Sequence, residues 1–279
     1  MTTALKSGTR IRDYGQLVTA YVTIVMLAIK RVRGKSEDIS TMIGLLVLPI
    51  YYALNFKGEM ETSVGHIIVS NRAVLRSFVY GLFKTRFAYV RNLQEIDRSS
   101  LSFGQVVDVG ANTGDFTLAT SKFAKHVVAI EPGGENFLAL NANLQRNSIS
   151  NVTPIQVAAH SRDEEVSLHG KNSNLYVGAG PNGQTVKGSA LDSLFHDVRL
   201  KSIDIMKIDV QGHELSVIGG MSELLSDKRV NLLIIEVHLA RGVSESEVTS
   251  LIANKGYRMI RRDGYLSKQP HLYFVPAFS

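Results

Sequence analysis

Beyond Gly104 the chain alternates repeatedly between short apolar runs rich in β-branched residues and stretches of helical pattern. The runs are Gln105–Val109, His126–Ile130, Thr153–Val157, Ile203–Ile208 and Asn231–Val237. Helical patterns fall near 114–124, 134–147, 212–225 and 244–254. Strands this apolar must be covered on both faces, and helices packed on either side of a parallel sheet supply that cover. Two more strands are expected in the tail, at Tyr257–Ile260 and His271–Val275. The segment Glu164–Gly188 is rich in Gly and Asn and reads as a hairpin or flap inserted between the third and fourth core strands. The pattern predicts an α/β fold: a Rossmann-like, mostly parallel seven-stranded sheet flanked by helices.

The first run ends in a glycine loop, Val106-Val107-Asp108-Val109-Gly110-Ala111-Asn112-Thr113-Gly114, and a helix is expected to follow. Glycines allow a sharp turn and let a ligand lie against bare backbone. The start of the next helix turns free N–H groups toward an anionic group. A dinucleotide fold would carry Gly-x-Gly-x-x-Gly at this point. This loop carries Asp108 instead, where a carboxylate can face an ammonium. The second run ends Ala129-Ile130-Glu131-Pro132, which sets a carboxylate about 20 residues on, the spacing used to hold ribose hydroxyls. Ammonium, carboxylate and ribose together describe S-adenosyl-L-methionine better than a pyrophosphate cofactor, and a dehydrogenase is disfavoured by the glycine spacing.

Composition narrows the setting. The chain has 279 residues and no cysteine, so disulfides, thiolate zinc sites and cysteine nucleophiles are excluded. That absence, with no cleavable signal pattern at the N-terminus, suits a reducing, cytoplasmic location. The net charge of +6 is carried by the first hundred residues, which hold 14 of the 31 Lys/Arg and 7 of the 25 Asp/Glu. We divide the chain into an N-terminal extension, 1–100, and a catalytic domain, 101–279. Within the extension, Tyr14–Ile29 has the stripe of an amphipathic helix, and Ile39–Phe56 runs 18 residues without a charge. The basic cluster 30–35 lies between them, so residues 14–56 are a candidate for membrane-surface association. A β-hairpin turning near Gly65 is expected over Glu59–Asn71, then a helix over Arg72–Lys84.

The blocks 106–114, Ala-Ile-Glu-Pro (129–132), Asn-Val-Thr-Pro-Ile-Gln-Val-Ala-Ala (151–159) and Ala-Leu-Asp-Ser-Leu (190–194) occur in order. They are followed by Ile-Met-Lys-Ile-Asp-Val-Gln-Gly-His-Glu (205–214) and Leu-Ile-Ile-Glu-Val-His (233–238). From Val106 to Val275 this resembles the FkbM-type S-adenosylmethionine-dependent methyltransferases. The resemblance implies a class I methyltransferase sheet and O-methylation of a sugar, glycolipid or secondary metabolite. It also places the adenine beside Ala158 and Ala159. Two positions depart from the family pattern: Gln211 stands where Glu is common, and Gly133 where a proline-like residue is frequent.

Expected cofactor contacts are Asp108, Gly110, Asn112, Gly114, Glu131, Ala158 and Asp209. A hydroxyl acceptor needs a base, and candidates must stand at the C-terminal ends of the strands. These are His238, Asp209, Glu214 and Glu236, with His238 preferred because an imidazole titrates near neutral pH. Glu236 and His238 share one strand face. Glu214 has the alternative task of stabilising its helix start, and His213 is expected to be exposed. The four catalytic candidates could surround a divalent ion, but the spacing fixes no ligand geometry, and no metal site is assigned. The acceptor is expected to be a small molecule or glycan. Asp209-Val210-Gln211-Gly212 lacks the Asn-Pro-Pro-Tyr-like motif of base methylation, which weighs against nucleic acid. Two alternatives stay open: a nucleic-acid or protein methyltransferase, and a non-catalytic S-adenosylmethionine-binding protein. Oligomeric state is not readable.

Overall fold

A computed structural model describes residues 58–62 and 65–69 as backbone, and residues 104–170, 174–196, 202–263 and 269–277. The expected elements at 14–29, 39–56 and 72–84, and with them the membrane-surface candidate, lie outside the described residues. The chain divides between Gly58 and Glu59, and the fold described here belongs to the second unit. Gly58–Thr62 (β1) and Gly65–Val69 (β2) pair as a two-stranded sheet in the region where a hairpin is expected. No helix among the described residues is long and apolar enough to cross a membrane.

The core is a seven-stranded sheet. Its parallel strands are Gln105–Val109 (β3), His126–Ile130 (β4), Val152–Ile155 (β5), Ile203–Ile208 (β10) and Val230–Glu236 (β11). Tyr257–Asp263 (β12) and His271–Pro276 (β13) complete it in the order β12-β13-β11-β10-β3-β4-β5, with β13 antiparallel to both neighbours. Side chains alternate between the two faces. Val107, Val109, Met206, Ile208, Leu233 and Ile235 face one buried layer, filled from the other side by Leu191–His196 (α3), Glu214–Gly219 (α4), Ser222–Ser226 (α5) and Glu245–Asn254 (α6). Val106, Val127, Ile205 and Leu232 face the opposite layer with Phe116 of Asp115–Ser121 (α1). Gly134–Arg146 (α2) packs Leu140 and Leu144 over Ala129. Helices of five to seven residues are too short to hold themselves. Burial stabilises them instead, at about 1.5–3 kcal/mol for each large apolar side chain.

Two expectations needed revision in detail. The helix expected over 212–225 is two helices, broken at Gly220–Met221. A side chain at Gly220 would collide with the carbonyl oxygen of His160, so the break lets another segment cross at backbone distance. That segment, Ala158–His160, lies just before the expected flap at Glu164–Gly188, and together they make more than a hairpin. Ala158–His160 (β6), Glu164–His169 (β7), Tyr176–Val177 (β8) and Gln184–Ala190 (β9) form a second sheet, ordered β6-β9-β7-β8.

From β3 the sheet grows outward through β4 to β5. The chain then passes through the second sheet and α3 to β10, on the other side of β3. Strand order therefore reverses between β3 and β10, and ligands of open α/β sheets bind outside the strand ends at such a point. The opposite edge is fastened by Asp204 at the start of β10. It accepts the N–H groups of Gly104 and Gln105 at 2.6 and 2.9 Å, and the amide of Asn231 at 3.1 Å.

Candidate active site

At the reversal point the glycine loop turns against the end of β10. Gly110 has φ +81°, and a Cβ there would collide with the carbonyl oxygen of Asp209. Gly114 has φ +97°, and a side chain would press within 2.7 Å of Leu118 and Leu140. Asn112 also takes a positive φ, of 52°, and its N–H donates to Glu131 Oε2 at 2.8 Å. The other oxygen, Oε1, accepts from Gly133 N–H at 2.9 Å and from the Asn136 amide at 3.1 Å. Burial raises the Glu131 pKa above the usual carboxylate range, while the N–H groups of Gly133 and Asn112 pull against that rise. A carboxylate offers about four acceptor positions, so these three donors leave about one, on the Asn112 side.

Asp108 is fully buried and faces inward. Thr117 donates its hydroxyl to Oδ2 at 2.7 Å, and Lys207 donates its ammonium to Oδ1 at 3.1 Å. The ammonium that Asp108 faces is thus the chain's own, because parallel pairing sets Lys207 directly beside it. Burial favours the neutral amine, but Asp108, Asp209 and Asp115 together outweigh it and hold the Lys207 pKa above its ordinary value. Ala158 and Ala159 are buried in β6, paired with Gly188 and Ser189 of β9. In the glycine loop, the buried hydroxyl of Thr113 has no hydrogen-bond partner.

The four expected catalytic residues come together beside this loop. Asp209 follows β10, Glu214 opens α4, Glu236 ends β11, and His238 lies two residues further. Glu214 and Glu236 are fully buried and His238 is 2% exposed. Glu214 Oε1 accepts His238 Nδ1–H at 2.6 Å and the N–H of Gly212 at 3.0 Å. With Nδ1 committed as a donor, the neutral ring carries its lone pair on Nε2. That nitrogen is buried without a hydrogen-bond partner, 3.7 Å from Asp209 Oδ1 and 3.9 Å from Glu236 Oε1. Burial pushes the His238 pKa down, but Glu214, Asp209 and Glu236 overcome this and raise it above 6.5. His271, the first residue of β13, brings Nε2 to 3.2 Å from Glu236 Oε2.

His213 is half-buried rather than exposed. Its ring stacks with that of His160, and the two nitrogens approach to 2.7 Å. Burial and the neighbouring His160 lower its pKa to about 4. His160 also meets Glu164 at 2.7 Å, so the second sheet is fastened to the segment that carries Glu214. A second fastening joins Arg241, just after His238, to the ring of Tyr176 at 4.4 Å.

Lys207, Thr113 and His271 were not singled out from the sequence. Lys207 carried a usable signal, since a lysine near the end of an expected core strand must find a buried partner. His271 carried none, because its contact with Glu236 arises from antiparallel register.

Residues 108–259 match the methyltransferase FkbM domain. The chain is 31% identical over 150 residues to the hexuronic acid methyltransferase AglP of Haloferax volcanii. That match takes in 52% of this chain and 60% of the relative. Among solved structures, the methyltransferase FkbM from Methylobacillus flagellatus KT is similar with a TM-score of 0.47 and 18% identity, covering 83% of this chain and 59% of that one. Aeropyrum pernix fibrillarin, in complex with natively bound S-adenosyl-L-methionine, is similar with a TM-score of 0.42 and 10% identity, covering 63% and 69%. The domain match runs from Asp108 in the glycine loop through the acidic strand ends to Met259, more than half of the chain, and the protein belongs to the FkbM methyltransferase family.

Proposed function

We propose that this protein is an S-adenosylmethionine-dependent O-methyltransferase acting on a hydroxyl of a sugar, glycolipid or secondary metabolite. The observation that carries the reading is the placement of His238 Nε2, a buried and unpartnered nitrogen beside a glycine loop at the reversal point of the sheet. A uronic-acid glycan is the first acceptor to test, on the strength of the relative that methylates a hexuronic acid.

The residues present fit the cofactor. Glu131 keeps about one acceptor position for a ribose hydroxyl. The free Thr113 hydroxyl suits the methionine carboxylate, and Asp209, 19% exposed, suits its ammonium. Asp108 serves by holding Lys207 and the loop. Bound there, S-adenosylmethionine supplies an activated methyl group on a good leaving group. The chain's remaining work is to position the acceptor and ease the loss of its hydroxyl proton. Glu214 orients His238, whose unprotonated Nε2 is the atom through which this cluster acts on the hydroxyl. Glu236 and Asp209 flank it, and His271 steadies Glu236.

Calorimetric titration with S-adenosylmethionine and S-adenosylhomocysteine tests the cofactor, beside Glu131→Ala. Transfer of labelled methyl to glucuronic-acid-terminated glycans tests the acceptor class, beside His238→Ala. Micromolar binding that Glu131→Ala abolishes is expected. A folded protein that ignores both cofactor forms overturns the proposal.

A further inference from the structure

We infer that Asp209, Glu236 and His238 form a binding site for one divalent cation of the kind that accepts mixed nitrogen and oxygen ligands, Mn²⁺ or Zn²⁺. One donor atom from each residue lies within 4.8 Å of the others. The distances from His238 Nε2, 3.7 and 3.9 Å, are too long for hydrogen bonds to either carboxylate. They are close to what a shared ion requires. Bonds of about 2.1 Å at octahedral angles set ligand atoms about 3 Å apart, so about 1 Å of closure completes the set. Asp209 stands past the end of its strand and is partly exposed, so it is the ligand through which the set would close.

His238 is already prepared as a ligand. Its Nδ1–H is held by buried Glu214, which is itself fixed by the N–H of Gly212. A carboxylate behind the imidazole sets the tautomer and strengthens the opposite nitrogen as a donor to metal. That nitrogen is buried and has no hydrogen-bond partner, an arrangement that is unfavourable unless a ligand completes it. Lys207 lies 3.8 Å from Asp209 Oδ2, but it is hydrogen-bonded to Asp108, and Asp209 turns its other oxygen toward His238. Gln211 donates to that same oxygen at 3.2 Å and steadies it without neutralising its charge. One imidazole with two carboxylates favours Mn²⁺ or Zn²⁺ over Mg²⁺ or Ca²⁺, which prefer all-oxygen sets. Three protein ligands leave positions open, where an acceptor hydroxyl would be polarised by the ion. Only this last consequence rests on the proposed function; the binding itself does not.

The test uses the full chain, stripped with EDTA and desalted. It is titrated with MnCl₂ while the paramagnetic resonance of free Mn²⁺ is followed, and with ZnCl₂ by calorimetry. One ion per chain is expected. Asp209→Asn and His238→Gln should each weaken binding at least tenfold, and Glu214→Gln by about 10–100-fold, because it acts only through His238. Glu131→Gln, at the cofactor end, should bind the ion as the parent does. Near-ultraviolet circular dichroism shows that each variant is folded. No ion bound at millimolar concentration, or unchanged binding in folded Asp209→Asn and His238→Gln, overturns the site. A protein that binds Mn²⁺ but not S-adenosylmethionine keeps this site and loses the functional proposal.

Discussion

The two halves of the ligand edge hold similar residues and treat them differently. On the β3–β4 side, Glu131 receives three hydrogen bonds from its own chain, and Asp108 is met by Lys207 and Thr117. On the β10–β11 side, His238 has one nitrogen bound to Glu214 and the other buried without a hydrogen-bond partner. Groups satisfied by the chain hold their places whether or not a ligand is present. A buried polar atom left open is rare and calls for a functional reason. Apart from the open Thr113 hydroxyl of the glycine loop, the first half is therefore read as a preformed frame and the second as the reactive half.

Substitutions can break that contrast. The largest expected effect is at Lys207. Lys207→Met strands Asp108 as a buried charge and should lower unfolding free energy by about 3–5 kcal/mol, measured by urea denaturation. A loss below about 1 kcal/mol would show that Thr117 suffices and that the frame is less tightly coupled than it looks. His238→Ala should lower kcat for methyl transfer by about 10²-fold while leaving cofactor affinity unchanged. If affinity fell in step with kcat, His238 would belong with the frame. Glu131→Gln should do the reverse, weakening S-adenosylmethionine about tenfold with little change in kcat at saturation. Rates should also rise with pH as His238 loses its proton, with a midpoint above 6.5. A midpoint below 6.5 would mean that Glu214 and its neighbours do not stabilise the imidazolium.

The smallest effect is expected at His213. Its folded pKa of about 4 lies below the ordinary 6.5, so the fold favours the neutral ring. Stability from this group is complete above 6.5 and is lost as pH falls from there toward 4. Thermal unfolding followed across that window should flatten slightly in His213→Asn. An unchanged slope would assign the acid sensitivity elsewhere.

Much of this was readable in the sequence. Apolar runs located the five parallel strands to within a residue or two at each end, and the tail strands were found. The positions of the glycine loop, of Glu131, Asp209, Glu236 and His238 near strand ends, and of Glu214 at a helix start were legible because strand termini and side-chain alternation are local properties. What was missed depends on register and crossing. Nothing near Asp108 says that Lys207, 99 residues later, lies beside it. The stacking of His160 on His213 joins residues 53 apart through the second sheet, whose longer strands mix polar and apolar residues and lack the apolar runs of the core strands. The double glycine at 219–220 was visible, but its meaning came from the His160 carbonyl that passes there.

The reversed strand β13 has a consequence for how such a protein can diversify. The parallel strands all finish at the ligand edge, but β13 begins there: the chain leaves β12 at Asp263 and re-enters at His271, which sits opposite Glu236. The two ends of the connection between them, the paired Asp263 and His271, are therefore anchored at the reactive half without carrying any of the central parallel strands. Its length and composition can change while Leu272, Tyr273 and Phe274 stay packed in the core. A lineage can vary the chain between these two anchors while the frame and the reactive cluster are inherited intact.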